Sequence, residues 1–230
     1  MKLILVRHGQ PDYETDRLTL LGHAQAEAAA ERLKDEKVDR IFSSSCGRAY
    51  ETALHTAEKK RMEVTKVDFM REITGGPLGP EEIRAAESLT KKEFAEKYSV
   101  LPQMINTVSG GFPLDRTSPF LKHNSVCLSV DRVIEGLDPW LESLGYQREG
   151  RYYRVLRSNP ETVMMFGHRG SFAVTVAHLL NMGPEAAVAS LATDLTGITV
   201  FAFREDKPAG TLIRPQMVLF GDARHIEGLS

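Results

Sequence analysis

The stretch Leu3-Ile4-Leu5-Val6-Arg7-His8-Gly9 decides the fold. Four consecutive apolar residues suit a short strand covered on both faces, the usual state of a strand in a parallel sheet. The run then stops at a cation, an imidazole and a glycine. In open α/β sheets, ligands collect beyond the carboxyl ends of the strands. Arg7 and His8 are therefore expected at the mouth of a site. One such motif is weak evidence, and its weight depends on whether other segments bring matching chemistry to the same edge.

Outward from this strand, residues 10–17 form a polar loop with Pro11 as a breaker, and Thr19 suits a helix N-cap. Ala26, Ala29, Ala30 and Leu33 recur on one helical face, small enough to approach a sheet closely. Residues 38–43 read as a second strand, followed by the turn Ser43-Ser44-Ser45. A second helix then carries Ala49, Thr52, Ala53 and Thr56 on one side. This alternation is a βαβ unit with a right-handed crossover. Residues 63–69 suit a third strand at an edge. A loop rich in glycine and proline over 70–80 and a charged helix over 81–98 come next.

Periodicity fails over residues 100–124, which read as an insertion over one face of the sheet. Residues 126–144 are helical, with Val130, Val133, Ile134, Leu137, Leu141 and Leu144 on the apolar face. Pro139 predicts a kink or break there, with Asp138 as a cap for a new turn. A buried strand over 162–166 ends in Gly167-His168-Arg169-Gly170 and leads into a helix bearing Ala173, Val176, Ala177 and Leu180. Strands over 198–203 and 216–220 are expected to include an antiparallel pair. The expected architecture is α/β: a three-layer α/β/α sandwich with a mostly parallel central sheet and one antiparallel edge strand. It forms a single domain over residues 1–230, with a helical and loop insertion at about 84–125 over the site.

Composition narrows the function. The chain has 230 residues, 42% of them hydrophobic and 26% charged, with a formal net charge of -2. Nothing global draws it to nucleic acid or to an anionic membrane. The two cysteines, Cys46 and Cys127, form no CxxC or Cys/His cluster, which argues against structural zinc and a disulfide framework. A strand starting at residue 2 leaves no room for a signal peptide, and no run approaches 18 apolar residues. A cytoplasmic setting is expected.

Three segments converge: Arg7-His8-Gly9, Ser43-Ser44-Ser45-Cys46-Gly47-Arg48-Ala49, and Gly167-His168. Each follows a strand and stands at or just before a helix. If the strands are parallel, one edge receives two arginines, two histidines and several free backbone N–H groups. Unpaired charges are costly when desolvated, and a phosphoryl group resolves that cost. Arginines grip it with paired hydrogen bonds. Helix N-termini favour it. A neutral histidine can attack phosphorus and carry the group covalently, while the remaining cations stabilise the charge in transit. The residues alone leave His8 and His168 open as the nucleophile.

The chain resembles the histidine phosphatase superfamily, also called phosphoglycerate mutase-like. The matching residues are Arg7-His8-Gly9, Leu18-Thr19 with Gly22 and Gln25-Ala26, Ser43-Ser44 with Arg48-Ala49 and Thr52-Ala53, Glu72, and Gly167-His168. They fall in order along residues 1–83 and 160–230. The middle of the chain carries no matching motif. The resemblance implies that His8 forms a phosphohistidine. It implies that Arg7, Arg48 and His168 hold the phosphoryl group with it. It implies that Glu72 gives a proton to the leaving oxygen and later activates water. No cofactor and no metal are implied, and the two histidines lack an acidic cluster at metal-ligand spacing.

Plainer readings stand beside these. An arginine can be a surface ion-pair residue and His168 a helix cap, but convergence of three segments argues against both. Asp68, Glu81 and Glu82 compete with Glu72 as proton donor, although Glu81 and Glu82 read more simply as the solvated first turn of a helix. Ser43 and Ser44 read as turn and cap residues, and Cys46 as structural. Arg169 stands where the family more often has a small residue. It either adds a cation at the pocket mouth or points to solvent. Pro11-Asp12-Tyr13 replaces a more polar pattern of the mutases. The segment Ile73-Thr74-Gly75-Gly76-Pro77-Leu78-Gly79 does not look like the loop of the cofactor-dependent mutases. Hydrolysis of a phosphomonoester is therefore expected, with mutase-type transfer as an alternative and a noncatalytic phospho-ligand binder as another. Arg116, Lys122 and His123 are candidate contacts to an anionic substrate. Phe112, Phe120 and Tyr98 are candidates for an apolar wall. The expected partner is a phosphorylated small molecule, with a phosphoprotein still open.

Overall fold

The computed structural model describes residues 1–99, 116–122, 124–204 and 207–229. The central sheet has six strands: β1 (Lys2–Arg7), β2 (Arg40–Ser44), β3 (Val64–Val67), β4 (Thr162–Gly167), β5 (Ile198–Ala202) and β6 (Gln216–Asp222). Their spatial order is β6-β5-β1-β4-β2-β3. β1, β4, β2 and β3 run parallel to one another. β5 is antiparallel to both β1 and β6. The reversed strand is therefore one place in from the edge, not at the edge itself.

Four helices bracket the sheet: α1 (Leu20–Arg32), α2 (Gly47–Lys60), α5 (Val126–Ser143) and α6 (Arg169–Leu180). The shorter helices α3 (Pro80–Ala86) and α4 (Lys91–Tyr98) and a single helical turn, Pro119–Lys122, precede α5, and α7 (Pro184–Ser190) follows α6. Alternation along β1 explains the layering, because successive side chains leave a strand on opposite faces. Leu3 and Leu5 pack with Val163, Met165, Leu137 and Leu141. Ile4 and Val6 pack with Met164, Phe166, Ile41, Ala53 and Ala57. One face is thus closed by α5 and α6 and the other by α1 and α2. Leu3 to Val6 are each at most 1% exposed, as a doubly covered strand requires.

Some local expectations are revised. The segment 81–98 is two helices. Thr90 and Glu93 explain the break by satisfying each other's backbone N–H groups: Glu93 accepts from Thr90 N at 2.8 Å, and Thr90 Oγ1 accepts from Glu93 N at 3.3 Å. Helix α5 runs unbroken through Pro139. Val130, Val133, Leu137 and Leu141 are fully buried along it, and this packing outweighs the lost backbone bond. Asp138 caps no new turn; its Oδ1 lies 2.8 Å from His178 Nε2 and accepts from the Tyr153 hydroxyl at 3.2 Å. A hairpin of Tyr146–Glu149 and Tyr152–Val155, joined by Leu212–Ile213, and helix α7 are additional to the expected elements. Both cysteines are free.

Candidate active site

The carboxyl ends of β1, β2 and β4 lie side by side, and the three segments meet there. His8 follows β1 directly. Its backbone is fixed on both sides: His8 N donates to Gly167 O at 2.9 Å, and Thr196 N donates to His8 O at 3.3 Å. The ring is buried. Its Nδ1 lies 2.7 Å from Gly9 O. A carbonyl only accepts, so Nδ1 carries the hydrogen and Nε2 keeps a lone pair. That Nε2 faces Arg48 Nε at 3.4 Å. Burial, with the charges of Arg48 and Arg7 adding to it, pushes the His8 pKa down to about 3. The imidazole is therefore neutral across the physiological range and keeps a nucleophilic nitrogen inside the site.

His168 stands at the N-cap of α6, also fully buried. Its committed nitrogen is the other one: Nε2 lies 2.9 Å from Ser44 Oγ, while Nδ1 is buried with no partner. The two rings are 5.1 Å apart between centroids and tilted by 60°. Burial, then the charges of His8, Arg48 and Arg7, holds the His168 pKa well below the ordinary histidine value.

Arg48 lies in the first turn of α2 and is only 9% exposed. Its guanidinium is held by Asp16, whose other carboxylate oxygen accepts from Gly47 N at 2.7 Å. Tyr13 lies beside the same guanidinium, with its ring centroid 5.6 Å away. Thr52, one turn along α2, ties this helix to the first loop. Its Oγ1 donates to Arg48 O at 2.8 Å and accepts from Gly9 N at 3.1 Å. Gly9 also needs its missing side chain, because a Cβ there would lie 2.5 Å from Gly22 O of α1. Arg7 donates through Nη1 to Thr193 O. Its Nε is buried without a partner, and burial lowers its pKa.

Glu72 arrives from the loop after β3. Its Oε1 accepts from Gly170 N at 3.0 Å and Ile73 N at 2.8 Å. Gly170 is required for this approach, since a Cβ would stand 2.6 Å from that oxygen. Arg132 of α5 fixes the loop from behind by donating to Glu72 O at 2.9 Å and Arg71 O at 3.1 Å. Burial raises the Glu72 pKa above the usual carboxylate range, against the pull of two backbone N–H bonds and the charges of Arg48 and Arg7. Ligand atoms of His8, Glu72 and His168 all lie within 4.8 Å of one another. Two imidazoles and a carboxylate are a metal-binding donor set by type. Here Arg7 and Arg48 flank them, and that surplus of positive charge suits an anion better than a cation.

The five residues named from the sequence therefore come together. Glu81 is exposed and Glu82 half-buried in the first turn of α3, and Asp68 accepts from the Ser45 hydroxyl at 2.6 Å. Neither Ser43 nor Ser44 caps α2. Ser43 Oγ donates to Ser44 O at 2.9 Å, and Ser44 Oγ accepts from Cys46 N at 3.3 Å while contacting His168. The insertion residues behave differently from expectation. Arg116 is taken up by Asp131 and Glu185, which lock it in ion pairs instead of leaving it for a substrate. Lys122 is exposed. Tyr98 is buried against Phe94, with centroids 5.0 Å apart, and so anchors its helix. His123, Phe112 and the side chain of Phe120 lie outside the described residues. Sequence reading missed Asp16, Ser44 and Arg132. Asp16 is the kind of loop carboxylate that could have drawn notice as a partner for a buried arginine.

Residues 3–214 match the histidine phosphatase superfamily (branch 1). The chain belongs to the histidine phosphatase superfamily. This superfamily member is 32% identical over 120 residues to a protein named probable phosphoglycerate mutase GpmB of Yersinia enterocolitica, covering 48% of this chain and 53% of that one. It is 39% identical over 85 residues to phosphoserine phosphatase 1 of Hydrogenobacter thermophilus, covering 33% and 40%. The chain thus spans about half or less of the length of these relatives. In structure it resembles a phosphoserine phosphatase of Entamoeba histolytica, solved in complex with 3-phosphoglyceric acid. The TM-score is 0.59 at 26% identity, covering 98% of both chains. A mycobacterial glucosyl-3-phosphoglycerate phosphatase solved with VO3 shares the fold, with a TM-score of 0.60 at 22% identity over 96% and 98% of the chains.

Proposed function

We propose that this protein is a metal-independent phosphomonoester hydrolase that works through a phosphohistidine on His8. The observation carrying this reading is the His8 ring itself, buried and neutral, with Nδ1 committed to Gly9 O and Nε2 left facing Arg48. In the first step the Nε2 lone pair attacks phosphorus and the ester oxygen departs, taking the Glu72 proton. Arg7, Arg48 and His168 hold the phosphoryl oxygens, where charge builds up in the transition state. In the second step the Glu72 carboxylate takes a proton from water, the water oxygen bonds to phosphorus, and the P–N bond breaks. Inorganic phosphate leaves, and His8 and Glu72 return to their starting states. The raised Glu72 pKa supports this acid-then-base role.

The relatives support a small phosphorylated substrate. Two are named for phosphoserine, and one was solved with 3-phosphoglyceric acid. Transfer to a second hydroxyl is the other reading, supported by the relatives named probable phosphoglycerate mutase. No helix among the described residues is long and apolar enough to cross a membrane, and we place the enzyme in the cytoplasm. The test is phosphate release from a panel of phosphomonoesters with EDTA present, comparing the wild type with His8→Ala. Release that disappears in the variant is expected. Release that persists in His8→Ala would overturn the nucleophile. Isomerised ester without free phosphate would establish transfer. Loss with EDTA, restored by a divalent ion, would turn the His8–Glu72–His168 cluster into a metal site.

A further inference from the structure

We propose that Arg169 holds a second anionic group of the substrate, so that the preferred ester is a small phosphomonoester bearing a carboxylate or a second phosphate near the ester oxygen. This inference rests on the hydrolase reading above for its substrate.

Arg169 is the first residue of α6, between two residues that build the site. His168 precedes it, and Gly170, whose N–H holds Glu72, follows it. It is half-buried. Among the described residues it makes no hydrogen bond and no ion pair. The other cations of the site are all engaged: Arg48 with Asp16, Arg7 with Thr193 O, Arg132 with the carbonyls of Arg71 and Glu72, and Arg71 with Asp68 at 3.9 Å. Arg169 also stands close enough to Arg7 that its charge opposes the Arg7 charge.

A half-buried cation beside another cation, with no carboxylate of its own, is unfavourable in the empty protein. A phosphoryl group gripped by Arg7, His8 and Arg48 leaves the Arg169 guanidinium without an acceptor of its own, and its five N–H donors still need one. A second anion would supply it. The Arg169 charge acts on Arg7, so a group held by Arg169 is a near neighbour of the phosphoryl group held by Arg7. This proximity limits the substrate to a short carbon chain.

Three esters on one carbon skeleton test the idea: 3-phosphoglycerate, glycerol 3-phosphate and glycerol 1,3-bisphosphate. They present a carboxylate, a hydroxymethyl group and a second phosphate at the same position. The wild type should favour one or both anionic esters by about tenfold or more in kcat/KM, the size of a charge-assisted hydrogen bond. Arg169→Ala should abolish the preference, mainly through KM. It should leave glycerol 3-phosphate within about twofold of wild type, which also reports an intact fold. Arg169→Lys should restore part of the preference. Equal loss on all three esters, or no loss on any, would overturn the proposal. Binding of the same esters to His8→Ala, with and without Arg169→Ala, separates this from the hydrolase reading. If the wild type releases no phosphate, the hydrolase reading fails while the binding preference for the anionic esters, read by titration calorimetry, still decides the role of Arg169.

Discussion

The ends of β1 and β4 are neighbours in a parallel pair, and each delivers a buried, neutral histidine to the same cavity. They differ in which ring nitrogen is committed. His8 spends Nδ1 on the carbonyl of the next residue, so its Nε2, which faces Arg48 Nε at 3.4 Å, is held in place by local backbone. His168 spends Nε2 on Ser44, a residue 124 positions away, and leaves Nδ1 without a partner. A nitrogen held by its own turn suits a group that must form and break a bond to phosphorus. A nitrogen freed by a distant hydroxyl suits a fixed donor to an oxygen. The pair of histidines that the sequence presents as equivalent is thus divided by hydrogen bonding.

The strongest way to break this division is to trap the intermediate. Rapid quenching at alkaline pH followed by mass spectrometry should find phosphate on His8 in the wild type and still on His8 in His168→Ala. Turnover should fall about 10⁴-fold or more in His8→Ala, as when an enzyme loses its nucleophile. It should fall about 10²- to 10³-fold in His168→Ala, as when one donor to a developing charge is lost. Phosphate on His168 would reverse the assignment.

A smaller effect sharpens the role of the third member. Glu72→Gln should slow glycerol 3-phosphate about 10²-fold but p-nitrophenyl phosphate much less, since a good leaving group needs little protonation. In the wild type, kcat/KM should fall as pH rises through the raised Glu72 pKa. That descent should be missing in the variant. Equal slowing of both esters would move the acid role to another residue.

The smallest effect is on stability. The folded His8 pKa lies near 3 and its ordinary value is 6.5. Between those values the unfolded chain binds a proton that the folded one refuses, so stability falls as pH is lowered through this window and the contribution levels off below it. The slope is about 1.4 kcal/mol per pH unit for one such group. His168 adds a slope of the same sign. Denaturant titrations should show a shallower acid dependence in His8→Asn than in the wild type. An unchanged slope would mean that the ring takes up a proton in the folded protein without penalty.

Arg7, Arg48 and His168 were legible because each apolar run ends in a polar signature, and a strand end is a local fact. Glu72 was harder, since Asp68, Glu81 and Glu82 sit nearby in sequence. What selects it is the N–H of Gly170, 98 positions away. The contacts of Asp16 and Ser44 were hidden for the same reason: their partners come from other strands and helices. The strands themselves were visible, but their spatial order was not. Nothing local in residues 198–202 says that they reverse beside β1 instead of lining the rim. Likewise, nothing about Arg116 alone announces that Asp131 and Glu185 will claim it.

The place of β1 in the sheet has a consequence for how the protein comes into being. It is flanked by β4 and β5, both of which are synthesised long after it. Until residues 198–202 have left the ribosome, a strongly apolar strand lacks one or both of its neighbours. Such long-range pairing is slow to close and leaves sticky edges exposed meanwhile. The emerging polypeptide therefore exposes an unpaired apolar strand edge until the sheet closes. A ribosome stalled before β5 would hold a chain whose His8 lacks the Thr196 N–H that braces its carbonyl. Assembly of the candidate site is coupled to completion of the sheet.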